Sequence, residues 1–328
     1  MASTPSEPPA TKVAKEPFAP PSLAEDAKPP TTTFAHLTAD EQAKHERIRE
    51  WLSADEYKLD DKPLDEAERF WLSEECIQRY VRASKGVEQT AKTRLEATLR
   101  WRREYGFGTE LMNPESFSVE GETGKQIIFG YDHARRPALY LLPSRQNTDG
   151  PPQQIRYSVF MLESTIGLMS AGVENLALLI NWADKAKNPS LGTARTFLDI
   201  LQSHYPERLG AAYLVHMPFF VSLFLKAITP FIDPKTRTKL FLNPDMVKDN
   251  LIKGDELLTI AGWGGNVEFD YDHTVYWPTL LKLCGDRRAR ELGVWREMGS
   301  KIGTSEWEVK CKAHGGPTLG LESEHAKV

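Results

Sequence analysis

Cysteine is scarce in this 328-residue chain. Cys76, Cys284 and Cys311 cannot all pair with one another, and none lies in a C-x-x-C. That fits free thiols in a reducing compartment. An excess of positive charge is lacking too: 41 Lys and Arg stand against 46 Asp and Glu, a net charge of −5. Nucleic-acid binders normally carry a basic excess, so no nucleic-acid partner is expected. Any contact with an anionic membrane has to come from a local basic patch. The start, Met1-Ala2-Ser3-Thr4-Pro5, has no basic stretch followed by an apolar run, and no secretory leader is read there.

Chemical signatures are equally sparse. There is no G-x-S-x-G, no G-x-x-x-x-G-K-[ST], and no G-x-G-x-x-G between a strand and a helix. The eight histidines form no H-x-x-x-H or H-E-x-x-H. Cys311-Lys312-Ala313-His314 is half a metal site without a second half, and a structural zinc needs four ligands. His204 and His216 read as structural histidines rather than catalytic bases. Neither an enzyme, a metal nor a cofactor is expected.

A long uninterrupted apolar run is missing as well. Residues 211–232 come nearest, 22 residues with a single charge at Lys226. Pro218 and Pro230 cut that stretch, and a lysine deep in lipid is costly. A buried strand followed by a short apolar helix explains it better than a membrane span.

What is present is an ordinary globular mixture, 40% hydrophobic and 27% charged, with eight of its 22 prolines in residues 1–33. That tail has too little apolar surface to offset its ordering entropy, and the composition predicts disorder over 1–35. Helices are predicted over 38–60 with Thr38 as N-cap, over 65–83, and over 87–104, where Val87, Ala91, Leu95, Leu99 and Arg102 share a face. The segment 36–110 therefore reads as all-helical. Beyond Gly106 the pattern changes. Strands are predicted at 126–131, 137–142, 176–180, 212–217 and 239–242, and helices at 152–171, 190–204 and 219–229. Strands alternating with helices imply an α/β layer with a mostly parallel sheet over 111–275. A helical wrap and a polar tail follow over 276–328.

Two features leave alternatives open. Phe219, Phe220, Val221, Leu223, Phe224, Leu225 and Ile228 surround their helix axis, whereas a surface helix shows one apolar stripe. The helix is either fully buried core or a lid between a lipid cavity and a bilayer. Arg79, Arg82 and Lys85, spaced by three, are either a solvated basic face or an anion site. Glu207, Thr236 and Lys239 supply a carboxylate, a hydroxyl and an amine suited to a polyhydroxylated phosphate headgroup.

Tyr205-Pro206-Glu207-Arg208-Leu209-Gly210, then Pro230-Phe231-Ile232-Asp233-Pro234-Lys235-Thr236, then Gly264-Gly265, resemble the CRAL-TRIO lipid-binding family. Arg79-Tyr80-Val81-Arg82-Ala83-Ser84-Lys85 and Trp101-Arg102 look like its helical N-terminal extension. Within the family the chain resembles the fungal phosphatidylinositol transfer proteins. The resemblance implies a sheet-floored lipid cavity closed by a mobile gate helix over 218–231, with Phe219, Phe220 and Phe224 on it. It implies that phosphatidylinositol is held by Arg79, Arg82, Lys85, Glu207, Thr236 and Lys239. Where two-lipid members carry a Ser and a Thr, the strand here reads Leu176-Ala177-Leu178-Leu179-Ile180-Asn181. That resembles the branch whose second ligand is a sterol and which is linked to azole tolerance. The implied function is exchange of phosphatidylinositol between membranes without bond chemistry; a lipid-loaded regulatory scaffold is the alternative. Implied partners are membrane phospholipids and a phosphoinositide kinase. The implied setting is a cytoplasmic monomer, peripheral on endoplasmic reticulum, lipid droplet or cell-cortex membranes.

Overall fold

The computed structural model describes residues 12–14, 37–182, 191–217, 219–259 and 263–316, with the backbone alone at 12–14, 191, 220, 221 and 224. The chain divides into two units. One comprises residues 1–20, 108–169 and 175–284; the other comprises 21–107, 170–174 and 285–328. The carboxyl-terminal segment thus belongs with the amino-terminal helices.

The helical unit begins with α1 (Ala39–Ser53). Thr38 caps it, its hydroxyl accepting from the Glu41 amide while the Glu41 carboxylate accepts from the Thr38 amide at 2.9 Å. The single helix expected over 65–83 is two, α2 (Glu66–Trp71) and α3 (Glu74–Ala83). Ser73 makes the break: its hydroxyl accepts from the Cys76 amide at 3.1 Å and starts a new helix. α4 (Glu88–Tyr105) ends at Gly106, whose φ of 94° is the left-handed geometry that glycine adopts freely. Ala91, Leu95 and Leu99 line its buried face, as their spacing predicts, and join Ile48, Leu52, Leu72, Cys76, Ile77, Tyr80 and Ile302 in one core. Val87 precedes the helix and is exposed.

The α/β unit is built on a five-stranded sheet of β2 (Gln126–Tyr131), β3 (Pro137–Leu141), β4 (Leu176–Asn181), β5 (Leu209–Val215) and β6 (Leu240–Leu242), in that order. β2 and β3 form an antiparallel hairpin, and every later pairing is parallel. β2 is irregular between Ile128 and Tyr131, and the Tyr276 hydroxyl accepts from the Ile128 amide at 2.7 Å. The helices α5 (Ser118–Gly121), α6 (Pro151–Gly167), α7 (Leu191–His204), α8 (Phe219–Ile228) and α9 (Pro234–Arg237) lie between or before the strands. β5 starts three residues before its predicted limit because Leu209 pairs with Leu176. Residue 190, where the helix matching α7 is predicted to start, lies outside the described residues.

Two strands were not predicted. β1 (Lys12–Ala14), inside the tail read as disordered, pairs in parallel with β7 (Val267–Phe269). Both are three residues long, too short to leave an alternating pattern. After β7 come α10 (His273–Glu297), divided between the units at Cys284 and Gly285, and α11 (Glu306–His314). No described helix is long and apolar enough to cross a membrane.

Candidate functional site: a charged strand edge and an apolar helix

In the α/β unit the turn Tyr205-Pro206-Glu207-Arg208 carries the chain from α7 into β5. Tyr205 anchors it, buried, with its hydroxyl donating to Glu163 Oε1 of α6 at 2.7 Å. Glu207 sits at φ 60°. A non-glycine residue in this left-handed region costs roughly 1 kcal/mol or more, and such positions cluster at functional sites. Its carboxylate accepts from Lys235 Nζ at 2.6 Å. Asp233 caps α9, accepting from the Thr236 amide at 2.9 Å. Burial works against its charge, but the Thr236 hydroxyl and amide hold its pKa below the usual value.

Lys239 follows α9 and precedes β6. Its ammonium donates to the Leu209 carbonyl at the start of β5. Half-burial lowers its pKa, and the nearby Lys235 and Arg136 charges lower it further, against Glu207 and Asp233. Glu207, Thr236 and Lys239 thus share one neighbourhood at the amino ends of two adjacent parallel strands.

The other three basic candidates lie in the helical unit. Arg79 is 2% exposed. It donates to Glu174 Oε2 at 3.0 Å and Glu306 Oε1 at 3.2 Å. Burial opposes its charge, yet the adjacent carboxylates, Glu306 foremost, hold its pKa above the usual value. Arg82 shares Glu174 Oε2 at 3.1 Å. Lys85 is exposed at the end of α3 with φ 53°. Of the two readings of this triplet, a freely solvated face is ruled out for Arg79 and does not describe Arg82.

α8 is not fully buried core. Phe219 is 85% and Leu223 60% exposed. Leu225 turns inward and packs with Leu178, Ile180, Ala212, Leu214 and Leu240 on one face of the sheet. Leu178 and Ile180 are only partly covered, whereas Ala177 and Leu179 beside them are fully buried. The side chains of Phe220 and Phe224, and all of Pro218, lie outside the described residues. His216, read as a satisfied structural histidine, is exposed at φ 52° in the turn before α8.

Sequence reasoning missed Glu174, Lys235 and Arg136. Lys235 stood within a quoted motif. Arg136 and Glu174 carried no local signal. Among the described residues no group of His, Cys, Asp and Glu is arranged to hold a metal.

Two family profiles match the chain: the CRAL/TRIO domain over residues 121–254 and the CRAL/TRIO N-terminal domain over 42–97. The chain is 45% identical over 292 residues to CRAL-TRIO domain-containing protein C23B6.04c of Schizosaccharomyces pombe, a match covering 86% of this chain and 28% of that protein. It is 34% identical over 301 residues to phosphatidylinositol transfer protein PDR17 of Saccharomyces cerevisiae, covering 84% of each. It is 22% identical over 251 residues to SEC14 cytosolic factor of Candida glabrata, covering 69% of this chain and 78% of that one. The first of these relatives is thus far longer than the matched region, while the second is matched over most of its length. The chain belongs to the CRAL-TRIO lipid-binding family, with the α/β fold and helical amino-terminal region described above.

Proposed function

We propose that the protein is a phosphatidylinositol transfer protein that takes one lipid into an internal cavity and exchanges it between membranes without chemical conversion. The observation that carries this reading is α8. An apolar helix that packs Leu225 on the sheet while exposing Phe219 and Leu223 is unfavourable in water. It is favourable where the outer face meets a bilayer and the inner face meets acyl chains. Burying acyl chains is worth about 0.8 kcal/mol per CH₂, which keeps spontaneous escape from a bilayer slow. A protein cavity of similar polarity makes exchange nearly isoenergetic, and opening of α8 supplies the path. The similarity to a relative named as a phosphatidylinositol transfer protein supports the choice of headgroup.

In this reading Glu207, Thr236 and Lys239 hold the inositol-phosphate headgroup. Arg79, Arg82 and Lys85 of the helical unit are the further basic residues assigned to it. Leu176 and Leu178 place apolar side chains where a choline-phosphate binder needs hydroxyls, so the second ligand is a sterol. The protein acts at the cytoplasmic face of membranes and supplies lipid to a phosphoinositide kinase.

The test is mass spectrometry of co-purified lipids together with exchange against labelled vesicles. Phosphatidylinositol in the purified protein, exchanged readily, and weak loading with phosphatidylcholine from mixed vesicles are expected. Lipid retained without exchange makes the protein a lipid-loaded scaffold, and absence of inositol lipid rejects the headgroup assignment.

A further inference from the structure

Arg136 closes the turn between β2 and β3, and its side chain crosses β5 at Gly210. A Cβ on Gly210 would lie 2.5 Å from Arg136 Cδ, 2.6 Å from its Nε and 2.6 Å from Asn175 Oδ1. Both groups therefore occupy the space that any other residue at 210 would fill. Next to them, Lys239 rests its ammonium on the carbonyl of Leu209, the residue before Gly210. Both cations thus lie beside the start of β5.

Arg136 pairs with one carboxylate at its own turn, and the acids whose charge reaches Lys239, Glu207 and Asp233, also engage other groups. Arg136 Nη1 reaches Asp132 Oδ2 only at 3.4 Å. The other oxygen of that carboxylate, Oδ1, accepts from the amides of Ala134 at 2.9 Å and Arg136 at 3.0 Å. Glu207, one of the two acids whose charge reaches Lys239, is engaged by Lys235 at 2.6 Å. A guanidinium offers five donors, and those not spent on Asp132 are suited to a tetrahedral anion. The pKa of Lys239 is depressed by burial first and by the Lys235 and Arg136 charges after it, against Glu207 and Asp233.

We propose that Arg136 and Lys239 together clasp one phosphate group beside Gly210, and that Gly210 is glycine so that the Arg136 side chain can reach it. The inference rests on the phosphatidylinositol reading above and adds Arg136 and Gly210 to it. Its chemistry is that of a phosphate anion, carried either by the lipid headgroup or by free phosphate.

Three variants of the full chain test it: Arg136→Gln, which removes the charge; Gly210→Ala, which keeps every charge and displaces the Arg136 stem; and Lys239→Ala as reference. Thermal melts first confirm folding. Loading from vesicles of phosphatidylinositol and phosphatidylcholine is then measured by mass spectrometry, and binding of inorganic phosphate by phosphorus NMR. Loss of one charge-assisted contact is expected to lower phosphatidylinositol loading about tenfold in each single variant. The Arg136→Gln, Lys239→Ala double variant is expected to lose less than the product of the single losses, because both side chains hold one phosphate. Normal loading in Arg136→Gln and Gly210→Ala with loss in Lys239→Ala overturns this inference and leaves the headgroup reading standing. Normal loading in all three overturns both. Lost phosphate binding with unchanged lipid loading shows a free-phosphate site and overturns the headgroup role of Arg136.

Discussion

Arg79 and Lys85 lie six positions apart and have opposite surroundings. Arg79 is enclosed and holds Glu174 and Glu306, so removing it takes a buried cation from two carboxylates. Breaking a buried ion pair from one side costs about 3–5 kcal/mol. Arg79→Ala is expected to lower the denaturation midpoint sharply, whereas Lys85→Ala leaves it unchanged and lowers phosphatidylinositol loading. Equal midpoints for Arg79→Ala and the parent protein would show that the network is not structural. Glu207→Ala and Lys239→Ala are each expected to reduce loading ten- to hundredfold, at roughly 1.5–3 kcal/mol per charge-assisted hydrogen bond, with the fold intact. Unchanged inositol-lipid transfer in both variants would remove this site from consideration. The residue types here were legible because the sequence motifs carry them. Their engagement was not: the partners of Arg79 are 95 and 227 residues away along the chain.

At the scale of the element, α8 and α11 make different demands. The outer face of α8 can be charged without disturbing the core, since Phe219 and Leu223 are exposed. Phe219→Asp and Leu223→Asp are expected to shift stability by no more than about 0.5 kcal/mol. Each forfeits about 1.5–3 kcal/mol of apolar burial at a membrane, so vesicle-to-vesicle transfer is expected to fall at least tenfold. Hydrogen exchange adds a second reading: protection of α8 equal to that of β4 with vesicles present would make α8 plain core.

α11 depends on a carboxylate from another helix. Glu75 of α3 accepts from the amides of Glu306 at 2.6 Å and Trp307 at 2.9 Å and from Ser305 Oγ at 3.0 Å, taking the place of an N-cap. Burial, and then the charges of Glu306 and Glu74, raise its pKa to about 7. Its contribution to stability is therefore full below pH 4.5 and is lost as pH rises through about 7. His45 on α1 runs the other way. Burial, then the Arg49 charge, lowers its pKa to about 4. Its contribution is full above pH 6.5 and is lost as pH falls through about 4. The two slopes oppose each other. Glu75→Gln is expected to leave the His45 slope exposed, with stability that falls on acidification from pH 6.5 to 4.5. Denaturant midpoints at three pH values measure it, and a profile parallel to the parent's would contradict the raised pKa of Glu75.

At the scale of the whole molecule, the chain distributes its stability unevenly along its length. Residues 285–328 belong to the helical unit, and Trp307, 2% exposed, packs there with Ala171 and Cys311. Trp307→Ala is expected to cost about 3–5 kcal/mol. Truncation after residue 304 is expected to cost at least as much, since Glu306 goes with it. A truncated chain that melts like the full one would separate the carboxyl terminus from the stability of the helices.

Local pattern alone determined that this protein is α/β with a helical start, where α1, α4 and the central strands run, and which family its motifs resemble. Caps, helical periodicity and apolar runs are set by neighbours within a few residues, so one sequence carries them in full. Only the tertiary structure decided that residues 65–83 break at Ser73, that α8 faces outward with Phe219 and Leu223, and that Arg136 lies against Gly210. It also decided that Arg79 is an ion-pair hub instead of a free cation. Each of these outcomes depends on which distant groups share a small volume, and hydrogen bonding, burial and charge respond to that distance in space and not to separation along the chain.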